Sequence, residues 1–336
     1  MNNIFAGKKV LVTGGAGSIG SAIVHELVTR DCTLVRVLDM NETGLFTLQQ
    51  ELAHTPVCRF LVGDIRDRDR MRRAVEGIDI VIHAAALKHV QSSEYNPFEA
   101  VKTNVVGIQN LIDVCIEEDI ERFLFTSSDK ATNPTNVMGT TKLLGERLVT
   151  AANYYKGKRR AMFSSVRFGN VMGSQGSVVP LFMQQIQRRI PVTITDETMT
   201  RFVMSKQEAI GLIFKALAIM KGGEVFILKM PVFRVADLYR AVADYMHERH
   251  ALSSTSTTIG LRNGEKMHEE LMTAEESRRA LETDDMFILL PEMKELLDSN
   301  HYTYQGARQA SRREYSSQHA TPLLPAALQQ MIHEVA

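Results

Sequence analysis

The fold is set by one stretch near the start of the chain, Lys9-Val10-Leu11-Val12-Thr13-Gly14-Gly15-Ala16-Gly17-Ser18-Ile19-Gly20. A short apolar strand runs into a glycine-rich turn, and a helix is predicted from Ser21 to Arg30. In this context Gly14 permits the tight turn, Gly17 lets the backbone approach a pyrophosphate, and Gly20 allows close packing of helix on strand. The N-terminus of the helix then offers free N–H groups to the phosphates. The stretch therefore predicts a dinucleotide site that includes Ser18 and Ile19.

An acid at the end of the second predicted strand, Thr33 to Asp39, indicates which dinucleotide is bound. Asp39 lies about 20 residues beyond the glycines, where a carboxylate binds the adenosine ribose and repels a 2′-phosphate. NAD is therefore favoured over NADP. Asp64 and Ile65 follow the third strand and are expected to border the adenine, although Asp64 could equally cap a helix that starts near Arg68. After the fourth strand, Ala84 and Ala85 supply small side chains where the cofactor must lie close.

Composition narrows the class of protein. The chain has 336 residues, 44% of them apolar, and 39 basic against 39 acidic residues. The zero net charge gives no case for a nucleic-acid partner, and there is no run of about 18 apolar residues to span a membrane. The first strand begins at Lys9, which leaves no room for a signal peptide. The cysteines, Cys32, Cys58 and Cys115, show no pairing pattern, so a reduced, cytoplasmic protein is expected.

A second stretch carries the groups expected to perform chemistry. The apolar run Arg122 to Phe125 ends in Thr126-Ser127-Ser128-Asp129-Lys130, and parallel strands present catalytic groups at their carboxyl ends. Met138 and Lys142 follow four residues apart at the start of a helical pattern, so both face the same way.

Strands and helices alternate through the first half of the chain, which predicts an α/β fold with a doubly wound parallel sheet. We expect a Rossmann-like NAD-binding domain with the catalytic residues over 1–168. Residues 169–336 are expected to form mainly a smaller, mixed α/β substrate-binding cap, with room for some segments to return to the first domain. The tail from Asn300 reads either as a latch or as a poorly ordered segment. The predicted elements outside the stretches above are strands at Val57–Val62, Ile80–His83, Ala161–Val166, Val192–Thr195 and Val225–Lys229, and helices at Pro97–Glu117, Lys142–Tyr155, Leu181–Arg188, Lys206–Met220, Ala236–Tyr245 and Ala274–Ala280.

Several blocks together resemble a known family. Besides the glycine turn they are His83-Ala84-Ala85-Ala86-Leu87-Lys88-His89-Val90, Asn96-Pro97-Phe98-Glu99-Ala100, Lys102-Thr103-Asn104-Val105-Val106-Gly107, Ser128-Asp129-Lys130, Arg167-Phe168-Gly169-Asn170-Val171, Met199-Thr200-Arg201-Phe202 and Gly264-Glu265-Lys266. The chain resembles the extended short-chain dehydrogenase/reductase superfamily and, within it, the nucleotide-sugar 4,6-dehydratases of the polysaccharide-biosynthesis type. The resemblance covers nearly the whole chain.

The resemblance implies an NAD-dependent UDP-N-acetylglucosamine 4,6-dehydratase. Such an enzyme oxidises carbon 4, eliminates water across carbons 5 and 6, and returns the hydride to carbon 6. Asp129 is implied as the acid and Lys130 as the base, with Lys142 bonded to the nicotinamide ribose. Met138 stands where the superfamily usually has its tyrosine base. Thr126, Ser127, Ser128, an ordered water or Asp129 must then relay the proton, and the sequence does not choose among them.

Further contacts follow from the same resemblance. Lys88 and Asn104 are implied on the cofactor side, and Lys88 and His89 could also touch substrate, although His89 could instead pack at a helix start. Implied substrate residues are Asn170 at the diphosphate, Ser177 and Val178 at the uridine, Arg201 and Arg262 at the phosphates, and Glu265 at the uridine ribose. Related enzymes form dimers or hexamers, so a homo-oligomer is expected.

Other functions stay open on the sequence alone. A UDP-N-acetylglucosamine 4-epimerase shares the fold, the cofactor and the first step, and a 5,6-ene-forming variant would return the hydride to carbon 4. A non-catalytic NAD-sensing protein would account for Met138. The carbon-5 configuration of the product is not predicted. No metal site is expected, because His268-Glu269-Glu270 is followed by Met272 where a zinc-protease motif has its second histidine.

Overall fold

The computed structural model describes residues 3–174 and 176–335. Its strands are β1 (Lys9–Thr13), β2 (Leu34–Asp39), β3 (Cys58–Val62), β4 (Ile80–His83), β5 (Arg122–Thr126), β6 (Met162–Arg167), β7 (Asn170–Val171), β8 (Val192–Ile194), β9 (Thr200–Met204), β10 (Val225–Leu228), β11 (Val232–Arg234), β12 (Ser256–Thr258), β13 (Glu270–Met272), β14 (Ala280–Glu282), β15 (Met286–Leu289), β16 (Arg308–Gln309) and β17 (Tyr315–Ser316). Its α-helices are α1 (Ser18–Leu27), α2 (Glu42–Glu51), α3 (Arg68–Val75), α4 (Val90–Tyr95), α5 (Pro97–Val101), α6 (Ile108–Glu117), α7 (Val137–Tyr155), α8 (Val178–Gln187), α9 (Lys206–Ile219), α10 (Val235–His250), α11 (Ala274–Ser277), α12 (Lys294–Ser299) and α13 (Pro325–Val335).

Within the described residues, ten strands form one central sheet in the order β16-β14-β15-β10-β6-β5-β4-β1-β2-β3. The strands from β10 to β3 are parallel, and β15, β14 and β16 extend the sheet in antiparallel fashion. Helices cover both faces, so the inner strands are almost wholly buried: all four residues of β4, and all but the first residue of β1, β5 and β6. The strand order reverses between β1 and β4, which opens a crevice at their carboxyl ends.

The predicted α/β, doubly wound, Rossmann-like class is confirmed. Helix bounds required more correction than strand bounds. The helix predicted over Pro97–Glu117 is interrupted, because Lys102–Gly107 forms a π-helical segment between α5 and α6. The helix predicted over Ala274–Ala280 ends at Ser277, and its last residue opens strand β14. The first helix also begins three residues earlier than predicted, at Ser18.

The second half of the chain contributes to two parts of the molecule. It builds small sheets, β11-β9-β7, β12-β8 and β13-β17, and helices α8, α10 and α13 pack around a separate apolar cluster. It also returns β10, β14, β15 and β16 to the central sheet. The division into 1–168 and 169–336 stays a prediction, with these four strands as the segments that return.

The tail beyond Asn300 is fastened to the turn that precedes β10. The Tyr302 hydroxyl donates to the Gly222 carbonyl at 2.5 Å, and the Tyr304 hydroxyl donates to Glu224 Oε1 at 2.6 Å. These contacts agree with the latch hypothesis. Among helices in the described part of the chain, none combines the length and apolarity needed to cross a lipid bilayer.

Candidate active site

A cleft of about 720 Å³ lies over the carboxyl ends of β1, β4 and β5 and is walled on its other side by segments of the second half. It brings together nearly all of the predicted site residues. Those in its wall are Gly14, Gly17, Ser18, Ile19, Gly20, Asp39, Asp64, Ile65, Ala84, Ala85, Lys88, His89, Ser128, Asp129, Lys130, Met138, Lys142, Asn170, Ser177, Val178, Arg201, Arg262 and Glu265.

Of the three fingerprint glycines in the turn, Gly14, Gly17 and Gly20, two have no room for a side chain. Gly14 has φ +70°, and a Cβ there would lie 2.5 Å from the Ala85 nitrogen. A Cβ on Gly20 would collide with the Gly14 carbonyl. At Gly17 the nearest obstacle is that same carbonyl at 3.2 Å, so its remaining surroundings are open. The turn therefore fits the close approach of a pyrophosphate over Gly17.

Asp39 is fixed at the rim of this turn. Its Oδ2 accepts a hydrogen bond from the Ala16 nitrogen at 3.0 Å, and its Oδ1 accepts from the Asn41 nitrogen at 2.9 Å. Each carboxylate oxygen has a second lone pair, so the group can still accept ribose hydroxyls. The geometry fits the predicted ribose contact.

Asp64 also borders the cleft, and its alternative role as a helix cap is wrong. Its carboxylate accepts hydrogen bonds from the Arg66 nitrogen at 2.9 Å and from Arg66 Nε at 2.7 Å. Asp67 caps α3 instead, since its side chain accepts from the Arg70 nitrogen at 3.0 Å. Asp64 lines the cleft, and its contact with the adenine stays a prediction.

Asn104 is the one predicted site residue that lies behind the wall of the cleft. Its amide donates to the Leu87 carbonyl at 2.9 Å and to Thr141 Oγ1 at 3.0 Å, and its Oδ1 accepts from the Leu87 nitrogen at 2.9 Å. These bonds tie the loop after β4 to helix α7. The structure therefore places Asn104 as a support of the cleft rather than as the contact residue that the sequence predicted.

The turn after β5 holds the predicted acid and base together. Ser128 caps a single 3₁₀ turn over Asp129–Ala131, with its Oγ accepting from the Lys130 nitrogen at 3.3 Å and donating to Asp129 Oδ1 at 2.7 Å. Lys130 Nζ donates to the same Oδ1 at 3.0 Å. Asp129 is 1% exposed, and its Oδ2 has no hydrogen-bond partner among the described residues. Asp129 lines the cleft, and this oxygen keeps its capacity to accept a hydrogen bond.

The sequence left open whether burial or neighbouring charge dominates the pKa of Lys130, and in the structure the neighbouring carboxyl groups dominate. Burial alone would lower the pKa of Lys130, but the carboxyl groups of Asp129 and Glu269 raise that pKa above its ordinary value. The 3.0 Å contact between Lys130 Nζ and Asp129 Oδ1 has the geometry of an ion pair, and the raised pKa of Lys130 favours its ammonium form.

Lys142 lies on the neighbouring helix in a drier position. It is 6% exposed, its Nζ donates to the Thr126 carbonyl at 2.9 Å, and it lies 4.6 Å from the centre of the Phe125 ring. Burial lowers the pKa of Lys142 to about 8. Met138 is buried one turn earlier on α7 and brings no ionisable group.

The structure separates the hydroxyls proposed to replace the missing phenol. Thr126 Oγ1 donates to the His83 carbonyl at 3.1 Å, and Ser128 Oγ donates to Asp129. Ser127 Oγ is buried and has no partner in the described part of the chain, although its residue lines the cleft. Of the three, Ser127 therefore has the uncommitted hydroxyl.

Sequence reasoning missed the role of Arg167, which it quoted only as part of a block. Its guanidinium is buried and donates to both carboxylate oxygens of Glu146, at 3.0 and 2.6 Å, and to both of Glu276, each at 3.0 Å. It also donates to Thr132 Oγ1 at 2.9 Å. Thr132 immediately follows the 3₁₀ turn. Arg167 therefore joins that turn to α7 and to the second half of the chain.

Glu269 was also missed, because it was weighed only as part of a metal motif. It is 3% exposed and lies 3.7 Å from Lys130 Nζ. Its proximity to the block Gly264-Glu265-Lys266 was the available signal, but the contact spans more than a hundred residues of chain. In the described residues, no group of three or more His, Cys, Asp or Glu side chains could hold a metal ion.

The predicted substrate residues line the opposite wall. The Arg201 guanidinium donates to the carbonyls of Thr200, Lys266 and Met267, so much of its hydrogen-bonding capacity is already used. The Asn170 amide donates to the Phe202 carbonyl at 3.1 Å.

Two further segments complete that wall. Arg262 and Glu265 form a turn in which the Glu265 carboxylate accepts from the Arg262 nitrogen at 3.2 Å. Ser177 precedes α8, which begins at Val178, and Ser177 Oγ is buried without a partner in the described residues. His89 both precedes α4 and lies against the glycine at 176, so its packing and its place in the wall coexist.

Comparison with known proteins supports a relationship over most of the chain. The family model described as polysaccharide biosynthesis protein matches residues 10–291. A protein of Methanocaldococcus jannaschii, named uncharacterized membrane protein MJ1061, is 51% identical over 294 residues, covering 87% of this chain and 88% of that protein. A UDP-N-acetylglucosamine 4,6-dehydratase (inverting) of Campylobacter jejuni is 36% identical over 304 residues, covering 89% and 88%.

Other relatives carry a different name. A UDP-glucose 4-epimerase of Rickettsia canadensis is 32% identical over 321 residues, covering 94% of this chain and 92% of the epimerase.

The X-ray structure of Pen from Bacillus thuringiensis matches with a TM-score of 0.92 and 43% identity, covering 98% of each chain. The resemblance drawn from the sequence is thereby confirmed. The chain belongs to the polysaccharide biosynthesis protein family, and with it to the nucleotide-sugar dehydratases and epimerases of the extended short-chain dehydrogenase/reductase superfamily.

Proposed function

We propose that this protein is an NAD-dependent UDP-N-acetylglucosamine 4,6-dehydratase that makes a UDP-4-keto-6-deoxy-N-acetylhexosamine. The observation that carries the proposal is the pair of buried Asp129 and partly exposed Lys130, joined at 3.0 Å in the wall of the cleft. An epimerase needs no acid for a leaving hydroxyl, whereas elimination does. The named relative from Campylobacter jejuni supports the same substrate.

The cofactor proposed is NAD, held by the glycine turn and by Asp39. A side chain at Gly14 or Gly20 would collide with the backbone, whereas the surroundings of Gly17 are open, which suits a pyrophosphate. Asp39 would accept hydrogen bonds from the adenosine ribose hydroxyls, and its negative charge would disfavour a 2′-phosphate. Bound NAD⁺ would supply the hydride acceptor for carbon 4 and the hydride donor for carbon 6.

Asp129 and Lys130 would drive the loss of water. In the resting pair the proton is on Lys130, so one transfer along the bond from Nζ to Asp129 Oδ1 creates an acid and a base without a proton from solvent. Neutral Lys130 then takes the proton on carbon 5. Protonated Asp129 gives its proton to the hydroxyl that leaves carbon 6, which departs as water.

Oxidation of carbon 4 requires removal of a hydroxyl proton without a tyrosine. Lys142 would bind the nicotinamide ribose and place a positive charge beside the sugar, and Ser127 has the free hydroxyl nearest in sequence to the Asp129–Lys130 pair. We assign the relay to Ser127, because Thr126 and Ser128 already donate to protein acceptors. Met138 would fill the place of the phenol as an apolar wall.

The second half of the chain would bind the nucleotide. Arg201 and Arg262 would place positive charge near the diphosphate, and Asn170 would bond to it. Glu265 would accept the uridine ribose hydroxyls, with Ser177 and Val178 beside the uridine at the start of α8. The engagement of Arg201 with three carbonyls makes its contribution chiefly one of charge.

The test is incubation with UDP-N-acetylglucosamine and proton NMR of the product. A 6-methyl doublet with a hydrated 4-ketone is expected, and the same spectrum reads the configuration at carbon 5. An exocyclic alkene would instead indicate the 5,6-ene-forming variant, and an unchanged substrate in the presence of NAD would favour the sensing protein.

The second candidate is a 4-epimerase, favoured by the named relative from Rickettsia canadensis. It predicts a galacto-configured product from UDP-N-acetylglucosamine or UDP-glucose in the same experiment. Met138 weighs against it, because it gives no phenol for the proton that carbon-4 chemistry exchanges in both directions.

The setting proposed is the cytoplasm, where sugar nucleotides and NAD are available and the buried cysteines would stay reduced. The expected quaternary structure is a dimer or hexamer. Static light scattering at micromolar concentration would measure it, and a monomer mass would contradict the expectation.

A further inference from the structure

Glu269 lies behind the Asp129–Lys130 pair and outside the wall of the cleft. Its Oε1 is 3.7 Å from Lys130 Nζ and 3.7 Å from Arg201 Nε. Its Oε2 is buried and accepts no hydrogen bond from any described residue. The residue therefore gives the pair a second carboxyl neighbour that no substrate contact explains.

The backbone of Glu269 is clamped in this place by the tail. Its nitrogen donates to Ser317 Oγ at 2.9 Å, and the Ser317 nitrogen donates to the Glu269 carbonyl at 2.8 Å. Strand β13 begins at the next residue and pairs with β17. The position of Glu269 is thus set by main-chain bonds. It is not set by an ion pair at hydrogen-bond distance.

A buried carboxyl with an unpartnered oxygen is costly, so its location calls for a reason. The charged groups that face it are Asp129 and Lys130 on the 3₁₀ turn, Arg201 on β9, and Lys266 on its own segment. Burial raises the pKa of Glu269, although the three cations oppose that effect. When ionised, Glu269 makes it harder for the Asp129–Lys130 pair to lose its proton, because that loss would leave two carboxylates in one buried cluster.

We propose that Glu269 is a positioning residue that keeps one proton on the Asp129–Lys130 pair. The inference rests on the proposed function, in which that single shared proton becomes the acid of the elimination. Glu269 touches neither substrate nor cofactor. It acts through Lys130, which it holds as an ammonium until the sugar enters.

The test compares Glu269→Gln with the matched control Glu270→Gln. Glu270 is the next residue, is only partly buried, and binds Asn133 Nδ2 at 2.6 Å rather than the pair. In Glu269→Gln, the high-pH limb of the kcat profile should move to lower pH by about one unit, since an opposite charge within about 4 to 6 Å shifts a titration by that amount or more. The KM should change less than about twofold, and Glu270→Gln should match the wild type in both.

A purely structural role for Glu269 would lower the plateau of kcat and leave the limb where it is, which would overturn the proposal. A second measurement needs no turnover. The protein is labelled with ¹³C at the ε carbon of its lysines and titrated by NMR, and the Lys130 signal is assigned as the one that Lys130→Arg removes. The titration midpoint of Lys130 should be about one pH unit lower in Glu269→Gln than in the wild type.

This NMR titration also separates the inference from the proposed function. If the wild type converts no UDP-N-acetylglucosamine, the proposed function fails, yet the Lys130 midpoint still reports on Glu269. If Glu269→Gln does not fold, the wild-type Lys130 signal should show a second inflection where Glu269 titrates. If the wild-type Lys130 signal shows only one inflection, the inference is refuted. Equal Lys130 midpoints in the wild type and in a folded Glu269→Gln would refute it as well.

Discussion

Replacing Lys142 with methionine should change how the stability of the protein depends on pH. Methionine has a similar length and no charge, so Lys142→Met removes one titrating group from a nearly solvent-free site. The wild-type ammonium is 6% exposed and is compensated by the Thr126 carbonyl at 2.9 Å and the Phe125 ring. The prediction concerns the difference between the two proteins at each pH.

The magnitude follows from the pKa of Lys142, which burial lowers from 10.5 to about 8. Below pH 8 the folded state holds an ammonium that would be more stable in water, a cost of about 3 kcal/mol. Between the two pKa values the unfolded chain binds the proton and the folded chain does not, so wild-type stability rises with pH. Relative to Lys142→Met, the wild type should gain about 1.4 kcal/mol per pH unit in this window.

The assay is urea unfolding, followed by circular dichroism, at several pH values from 7 to 10.5 and at one protein concentration. The difference in unfolding free energy between wild type and Lys142→Met should grow in favour of the wild type by about 3 kcal/mol over this range. Lys158→Met is the matched control, because Lys158 is exposed and its curve should run parallel to that of the wild type. Parallel curves for Lys142→Met as well would show that Lys142 is not buried as an ammonium.

Three other predictions concern the turn that carries the pair. Asp129→Asn and Lys130→Ala should each lower turnover roughly 10²- to 10⁴-fold, measured as ketone formation, and wild-type turnover in either would remove these roles. Arg167→Met leaves the carboxylates of buried Glu146 and partly buried Glu276 without their cation, so thermal or urea unfolding should show a loss of about 3 to 5 kcal/mol; an unchanged midpoint would contradict the network. Gly139→Ala would press a methyl group onto the Lys130 carbonyl, so turnover should fall roughly 10- to 100-fold, and full activity would show that the turn tolerates displacement.

The parallel part of the sheet could be predicted because strands that are buried on both faces are short, mostly apolar segments that are easy to recognise in the sequence. Strand β4, with every residue buried, has the predicted bounds, and β1 has them as well. This sequence pattern is weaker in the strands at the edge of the sheet. Strand β14 has three residues and β16 has two, both near the exposed end of the sheet, and such segments are too short to show a period. The helix predicted over Ala274–Ala280 failed there for the same reason.

Much of the candidate site could be predicted because its parts are local in sequence. The glycine turn lies within a short motif whose spacing has a physical meaning, and the roles of Asp129, Lys130 and Lys142 were implied by the family resemblance of equally short blocks. Glu269 and Arg167 could not be predicted in this way, because each acts through residues more than twenty positions away, and a lone buried charge cannot be told from a surface charge in one sequence. The protonation state of Lys130 likewise needed the three-dimensional arrangement of its two carboxyl neighbours.

The place of β10 between β6 and β15 has a consequence for engineering. A chimaera that takes residues 1–168 from one relative and residues 169–336 from another would have to re-form the β10–β6 seam, where Phe226 pairs with Val166 and Ile227 pairs with Arg167. That seam is buried on both sides, so mismatched partners would damage the whole sheet. New sugar preferences should therefore be easier to obtain by exchanging individual residues in the loops above the sheet than by transplanting residues 169–336.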